Sequence, residues 1–280
     1  RMTPDHRFGM LIAAVVAMGS RICAGDSETS TCRLGEPALG SGRMFDEVAP
    51  RYDLINRVMS LTMDQSWRLE LVSSLELQDG DRVLDLATGT ADVAILEAKD
   101  EKGVEVLGID PSENMIELGR SKILNEGLEN RISLQIGDAM ALDTIQDASF
   151  DKVSIAFGIR NIPDRLQALK EIRRVVRDSP GSRVAVLEFT EPHGGIIEFF
   201  ARLYIRHVVP LLGSILSGKW REYMHLESSI AEFPAPDEFK LIMEKAGLRV
   251  TDIRYMMFNS VILFTATPIL HTQDASSKPR

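Results

Sequence analysis

Four aspartates stand where a carboxylate does chemistry in an α/β protein. Asp85 and Asp92 flank a short loop in RVLDLATGTADVAI, residues 82–95. Asp110 ends the apolar run VEVLGID, and Asp138 ends RISLQIGD. The loop itself reads A-T-G-T-A-D, with Gly89 alone and with Thr88 and Ala91 where a dinucleotide loop often has glycine. It lacks the G-x-G-x-x-G that lets a pyrophosphate approach the backbone, and it has no P-loop lysine. Such a loop suits a ligand with a ribose and no phosphate. Asp110, about 20 residues beyond the loop, is placed to accept from both ribose hydroxyls. Asp138 is placed to accept from an adenine amino group, with Ala139 beside it. Each aspartate alone has a plain explanation as a helix cap or turn former. Together, at successive strand ends, they repel phosphate and attract a cation, such as the sulfonium or ammonium of S-adenosylmethionine.

The elements that must position them follow from periodicity. Apolar residues recur at helical spacing from Phe45 through Val48, Tyr52, Ile55, Val58 and Met59 to Trp67, Leu71 and Leu75. Short apolar strands then alternate with helices: RVLDLA, ADVAILEAK, VEVLGID, SENMIELGRSKILNEG, RISLQIGD, FDKVSIAFG, RLQALKEIRRVVR and SRVAVLEF. This alternation predicts an α/β fold, with a mostly parallel sheet and helices on both faces. PDEFKLIMEKAG adds a helix, and LRVTDIRYMM and SVILFTATP add two closely connected strands, an antiparallel closure of the sheet edge. Seven strands result. Ligands of such sheets sit beyond the strand C-termini where strand order reverses.

The N-terminal segment differs from the rest. Arg1 and Arg7 precede an uncharged run from Phe8 to Gly19, followed by small residues around Ala24. That is the order of a targeting peptide, and the run is short for a bilayer span. Residues 1–42 read as a targeting or linker segment, pointing to an organelle (a plastid or mitochondrion), with a disordered tail or interfacial helix as the alternative. Residues 43–268 form the domain, and 269–280 a tail. Both cysteines, Cys23 and Cys32, fall in the leading segment, so the domain has no thiol for a disulfide or a metal. The five histidines show no metal-ligand spacing, and no metal is expected. A net charge of −9 without a basic stripe argues against nucleic acid.

Residues 192–234 interrupt the alternation with GGIIEFFARLYIRHVVPLLGSILSG, mostly apolar and divided at Pro210. The stretch reads either as an inserted helix packed on the core or as an apolar lid over a greasy substrate, resting on a membrane surface.

Several longer stretches carry a resemblance. FDEVAPRYDLINRVMSLTMDQSWR, VLDLATGTAD, FGIRNIPDRLQALKEIRRV, VAVLEFTEP and YMHLESSIAEFP resemble the UbiE/MenG quinone C-methyltransferases over about Met44 to Pro268. The resemblance implies the Rossmann-like class I methyltransferase fold with an antiparallel edge strand, N-terminal helices and a helical lid. It also implies S-adenosyl-L-methionine as cofactor and a prenylated benzoquinol or naphthoquinol as substrate. Cofactor contacts are expected from the loop residues Asp85, Gly89 and Thr90, and from Asp110, Asp138 and Ala139. Ala156 stands where the family often has Ser before F-G-x-R-N, Asp64 where it commonly has His, and His225 where it has a second Tyr. Asp64 leans towards a naphthoquinone.

A neutral hydroquinone carbon is a weak nucleophile, so the site must favour a phenolate. Arg160, beyond the fourth strand, is the expected stabiliser of that oxygen; its alternative is a salt bridge to Asp164 or Glu188. Water or His225 would take the proton, Asn161 would orient either, and Tyr52 would cover the cofactor. His225 and Tyr52 are equally readable as packing residues. A methyltransferase acting on a sterol or small phenol, a non-catalytic scaffold of a quinone-synthesis complex, and a nucleotide-dependent oxidoreductase are the rival functions; the absent G-x-G disfavours the last. Peripheral membrane contact and a homodimer or larger complex are expected associations.

Overall fold

The computed structural model describes Asp46, Asp53, Asn56, Arg57, Ser60, residues 62–191, Ser229, Ile230 and residues 232–270. The expectations for residues 1–42, Tyr52, most of the 192–234 insertion, His225 and the tail from 271 lie outside these residues.

Helix α1 (Asp64–Leu75) buries Trp67, Leu71 and Leu75, one side chain per turn. After it come β1 (Arg82–Leu86), α2 (Asp92–Asp100), β2 (Glu105–Asp110), α3 (Glu113–Glu126), β3 (Ile132–Ile136) and β4 (Lys152–Ala156). A single 3₁₀ turn (Ile159–Asn161), α4 (Arg165–Val175), β5 (Arg183–Phe189), α5 (Pro236–Lys245), β6 (Leu248–Met256) and β7 (Val261–Pro268) complete the order. Helix starts and stops use ordinary chemistry: Ser112 and Asp164 accept from the backbone of α3 and α4, and Gly127 ends α3 in the left-handed region.

The seven strands lie in the order β3-β2-β1-β4-β5-β7-β6. The first five run parallel; β7 is antiparallel to both its neighbours, β5 and β6. The reversed strand thus sits one place in from the edge. Chain order turns back between β1 and β4, which places the ligand crevice beyond their C-terminal ends.

Alternation along the strands divides the core. Leu84 and Leu86 join Val153, Ile155, Leu169, Ile172, Phe239 and Phe264 on the face covered by α4 and α5. Val83 joins Trp67, Leu71, Ala94, Ala98 and Leu187 on the face covered by α1 and α2. Asp85, in phase with Val83, is turned to that second face.

Candidate functional site

The loop after β1 turns sharply. Ala87, Gly89 and Ala91 all have positive φ, 52°, 54° and 65°. Only Gly89 adopts that conformation freely; each alanine costs about 1 kcal/mol or more. Phe157, just after β4, is a third non-glycine residue in this state at 57°. Strained backbone therefore borders both sides of the switch point.

Between these loops lies a crevice of about 740 Å³, counting its open mouth. Gly89, Asp110, Asp138, Ala139, Ala156 and Asn161 all line it, so six of the residues expected from sequence meet in one place. Ile109, Met140 and Ile162 supply apolar wall.

Asp110 fixes the crevice as well as lining it. Its Oδ2 accepts from the Gly89 N–H at 2.8 Å and its Oδ1 from the Ser112 N–H at 2.9 Å. An ionised carboxylate offers about four lone-pair sites, so acceptor capacity remains for a ribose. Burial raises its pKa above the usual carboxylate value, with the Asp46 charge adding to the rise and the two N–H groups opposing it. Asp138 is exposed and holds its own turn, accepting from the Met140 N–H at 2.8 Å through Oδ1. Its Oδ2 makes no hydrogen bond among the described residues.

Two expected cofactor contacts are placed elsewhere. Asp85 lies beneath the loop at 1% exposure. It accepts from Thr88 Oγ1 at 2.6 Å and Ser154 Oγ at 3.0 Å. Burial pushes its pKa up to about 7. It organises the loop from below. Thr90 is also buried, and its hydroxyl donates to Asp53 Oδ1 at 2.8 Å while accepting from Lys122 Nζ at 2.8 Å. That side chain is committed to the protein and does not line the crevice.

Arg160 has the salt bridge considered as its alternative. Its Nη1 lies 2.5 Å from Glu188 Oε1 and 2.6 Å from the Phe157 carbonyl, and its backbone N–H donates to Glu188 Oε2 at 3.2 Å. The guanidinium stacks over Phe189, 5.5 Å from the ring centre. Glu188 is wholly buried. The pair holds the 3₁₀ turn down, and the next residue, Asn161, faces the crevice with no side-chain hydrogen bond among the described residues.

A model of the ubiE/COQ5 methyltransferase family matches residues 37–267. The chain belongs to that family. This methyltransferase is 38% identical over 241 residues to the ubiquinone/menaquinone biosynthesis C-methyltransferase UbiE of Geobacter sulfurreducens, covering 86% of this chain and 93% of that one. It is 42% identical over 207 residues to the demethylmenaquinone methyltransferase of Thermus thermophilus, covering 74% and 92%. Among solved structures, a SAM dependent methyltransferase from Aquifex aeolicus superimposes with a TM-score of 0.56 at 17% identity, over 79% of this chain and 97% of that one. The [4+2]-cyclase SpnF superimposes at 0.61 and 16% identity, over 82% and 96%. Likeness at that identity shows the class I methyltransferase fold, and the cyclase shows that the fold serves more than one chemistry.

Four residues of the site escaped the sequence reading: Asp46, Asp53, Lys122 and Glu97. Asp46 and Asp53 stand seven apart within the motif FDEVAPRYDLIN, a spacing that a helical period would bring to one side. That spacing was their signal. Glu97 is wholly buried, close to Asp85 and Ser154, and neither of its oxygens has a well-formed hydrogen bond among the described residues. It follows Val93 and Ala94 by four and three positions, on the apolar face of α2, which was the signal for it.

Proposed function

We propose that this methyltransferase transfers a methyl group from S-adenosylmethionine to a ring carbon of a prenylated quinol, in menaquinone or ubiquinone synthesis. The observation that carries this reading is the crevice at the β1/β4 switch point, with Asp110 and Asp138 at its rim in a chain of the ubiE/COQ5 family. The residues fit the cofactor: a buried carboxylate with spare acceptor capacity suits ribose hydroxyls, Asp138 with Ala139 and Met140 suits adenine, and among the described residues no basic group lines the crevice to hold a phosphate. Bound there, S-adenosylmethionine supplies an electrophilic methyl group on a sulfonium.

The chain's own residues do the rest. Asn161 is the polar side chain at the β4 end of the crevice, and its amide donates to the quinol oxygen. Removal of the phenolic proton, to water or to His225, raises electron density on the adjacent ring carbon. The cofactor, held by Asp110 and Asp138, would supply the methyl group to that carbon and be left as the thioether. Loss of the ring proton restores the aromatic quinol. Arg160 contributes from beneath the rim, by holding the turn and by the positive charge it shares with Glu188. The 192–234 insertion is the proposed surface for the isoprenoid tail, where each buried CH₂ contributes roughly 0.8 kcal/mol.

The test is anaerobic incubation with S-adenosylmethionine and reduced demethylnaphthoquinol or benzoquinol carrying a short prenyl tail. The product is expected to gain one carbon-bound methyl group, and Asp110→Ala to weaken cofactor binding by more than about tenfold through loss of a charge-assisted acceptor. Methylation of a simple phenol or sterol in preference to either quinol would overturn the substrate; no binding heat with S-adenosylmethionine would overturn the cofactor.

A further inference from the structure

Phe157 follows β4 and lines the crevice, and its backbone is in the left-handed region at a φ of 57°. A bulky residue keeps that conformation only where its surroundings over-determine it. Its N–H donates to the Leu187 carbonyl at 2.7 Å, and its carbonyl accepts from Arg160 Nη1 at 2.6 Å. Its ring lies 4.6 Å from that of Phe189, and Trp67 meets both rings edge-on at 6.2 Å. Each ring of the pair carries an arginine. The Arg68 guanidinium stands 5.5 Å from the centre of the Phe157 ring, and that of Arg160 stands 5.5 Å from the centre of the Phe189 ring.

Arg68 reaches this ring from α1. It is buried, and its charge is met by the buried Asp64 one helical turn earlier, whose other oxygen accepts from Ser60 Oγ at 2.8 Å. Burying two charges costs stability that a well-packed apolar pair would not cost. What the pair adds is a cation held over one aromatic ring, shielded from water, where that attraction is strongest. Neither Asp64 nor Arg68 is among the residues lining the crevice. The reach of Arg68 into the site therefore runs through Phe157. From Phe157 the chain passes through Gly158 into the 3₁₀ turn that ends at Asn161, and all three of these residues line the crevice.

We infer that Arg68, balanced by Asp64, is a positioning residue that fixes the Phe157 ring and with it the turn presenting Asn161 to the methyl acceptor. The inference rests on the reading of Asn161 given above. Arg160 grips this turn by its backbone, at the Phe157 carbonyl, and Arg68 grips it by a side chain. Asp110 and Asp138 stand elsewhere, at and just after the ends of β2 and β3, and neither bonds to Phe157. Cofactor binding therefore depends on Arg68 less than turnover does.

The test compares wild type with Arg68→Lys, Phe157→Leu, these two combined, and Asp64→Asn combined with Arg68→Met. Lys keeps a cation beside Asp64 but loses the planar group that stacks on a ring. The Asp64→Asn, Arg68→Met pair leaves no charge buried alone. With S-adenosylmethionine and a short-tailed quinol, kcat is expected to fall about threefold in Arg68→Lys and about tenfold in the charge-free pair, the range of a shielded cation–π contact. Kd for S-adenosylmethionine should change less than kcat in both. Once Phe157→Leu has removed the ring, Arg68→Lys should lower kcat little further. An equal loss in the two backgrounds would overturn the inference, since Arg68 would then act by another route. So would a Kd that rises as far as kcat falls, or a lowered melting temperature with wild-type kcat, which would leave a purely structural ion pair. Where the charge-free pair does not fold, Arg68→Lys in the two backgrounds decides. Wild-type kcat in Asn161→Ala defeats the reading of Asn161 and this inference with it. A loss in Asn161→Ala with unchanged kcat in Arg68→Lys and in the charge-free pair defeats the inference alone.

Discussion

Arg160 and Asn161 are neighbours with opposite fates. The arginine's charge is met by a buried carboxylate and a carbonyl, and the asparagine's amide is left to the crevice. Lys in place of Arg160 keeps a cation for Glu188 but cannot reach the carboxylate and the Phe157 carbonyl as a planar fork does, nor stack on Phe189 in the same way. Arg160→Lys is therefore expected to lower the melting temperature and turnover together, with turnover down about tenfold or more as the turn carrying Asn161 loosens. Thermal melts and single-turnover rates on the one variant check this; a normal melting temperature with turnover lost would assign Arg160 a direct role on the phenolate. The sequence carried the residue types of the site well. Gly89, Asp110, Asp138, Ala139, Ala156 and Asn161 do share a crevice. What it could not carry was the direction of side chains. Thr90 and Asp85 sit in the right loop, but a hydroxyl between Asp53 and Lys122, and a carboxylate in phase with the buried face of β1, are set by residues distant in sequence.

Among the elements, strands and helices were legible because each has its own period. LRVTDIRYMM and SVILFTATP were readable as an antiparallel pair from their short connection. That β7 would slip between β5 and β6 was not, since insertion depends on which edge offers free backbone and the most apolar neighbours; β7 is buried at almost every position. The approach of the two loops at the switch point is likewise a tertiary fact. A Cβ built on Gly158 would stand 2.4 Å from the Ala87 Cβ, although its φ of −112° suits any residue. Glycine is needed there for closeness. Gly158→Ala is expected to push apart the loops after β1 and β4, costing about 1–3 kcal/mol of stability and weakening cofactor binding several-fold. Denaturant unfolding and calorimetric titration read the two effects, and an unchanged Kd would show that the loops yield without disturbing the crevice.

At the scale of the whole molecule, two carboxyls are buried under one loop. Burial raises Asp85 to about 7 and raises Glu97 well above its usual value, each worsened by a nearby acid, Asp110 for the first and Asp85 for the second. Both bind protons more tightly folded than unfolded. Between about pH 4 and 7 the folded chain holds more protons, so these groups favour folding at low pH and their contribution is lost as pH rises through the folded pKa. Glu97→Gln is expected to raise the melting temperature little at pH 5 and by about 3 °C or more at pH 8, where burial of this carboxyl opposes the ionisation that the unfolded chain allows. Equal shifts at the two pH values would mean that Glu97 does not titrate in this window.

The reversal of β7 also settles which pole the chain leaves from. Because β7 runs against the other strands, Pro268 pairs with Leu248 at the start of β6, and Ile269 donates to the Gly247 carbonyl at 2.8 Å while Arg173 donates to the Ile269 carbonyl at 3.1 Å. That is the pole away from the crevice, whereas Asp46 and Asp53 lie against its mouth. An affinity handle or surface linker joined after Leu270 therefore departs from the far side and leaves the mouth facing solution. A fusion joined just ahead of Asp46 would crowd the opening, so immobilised enzyme should be anchored by its carboxyl end.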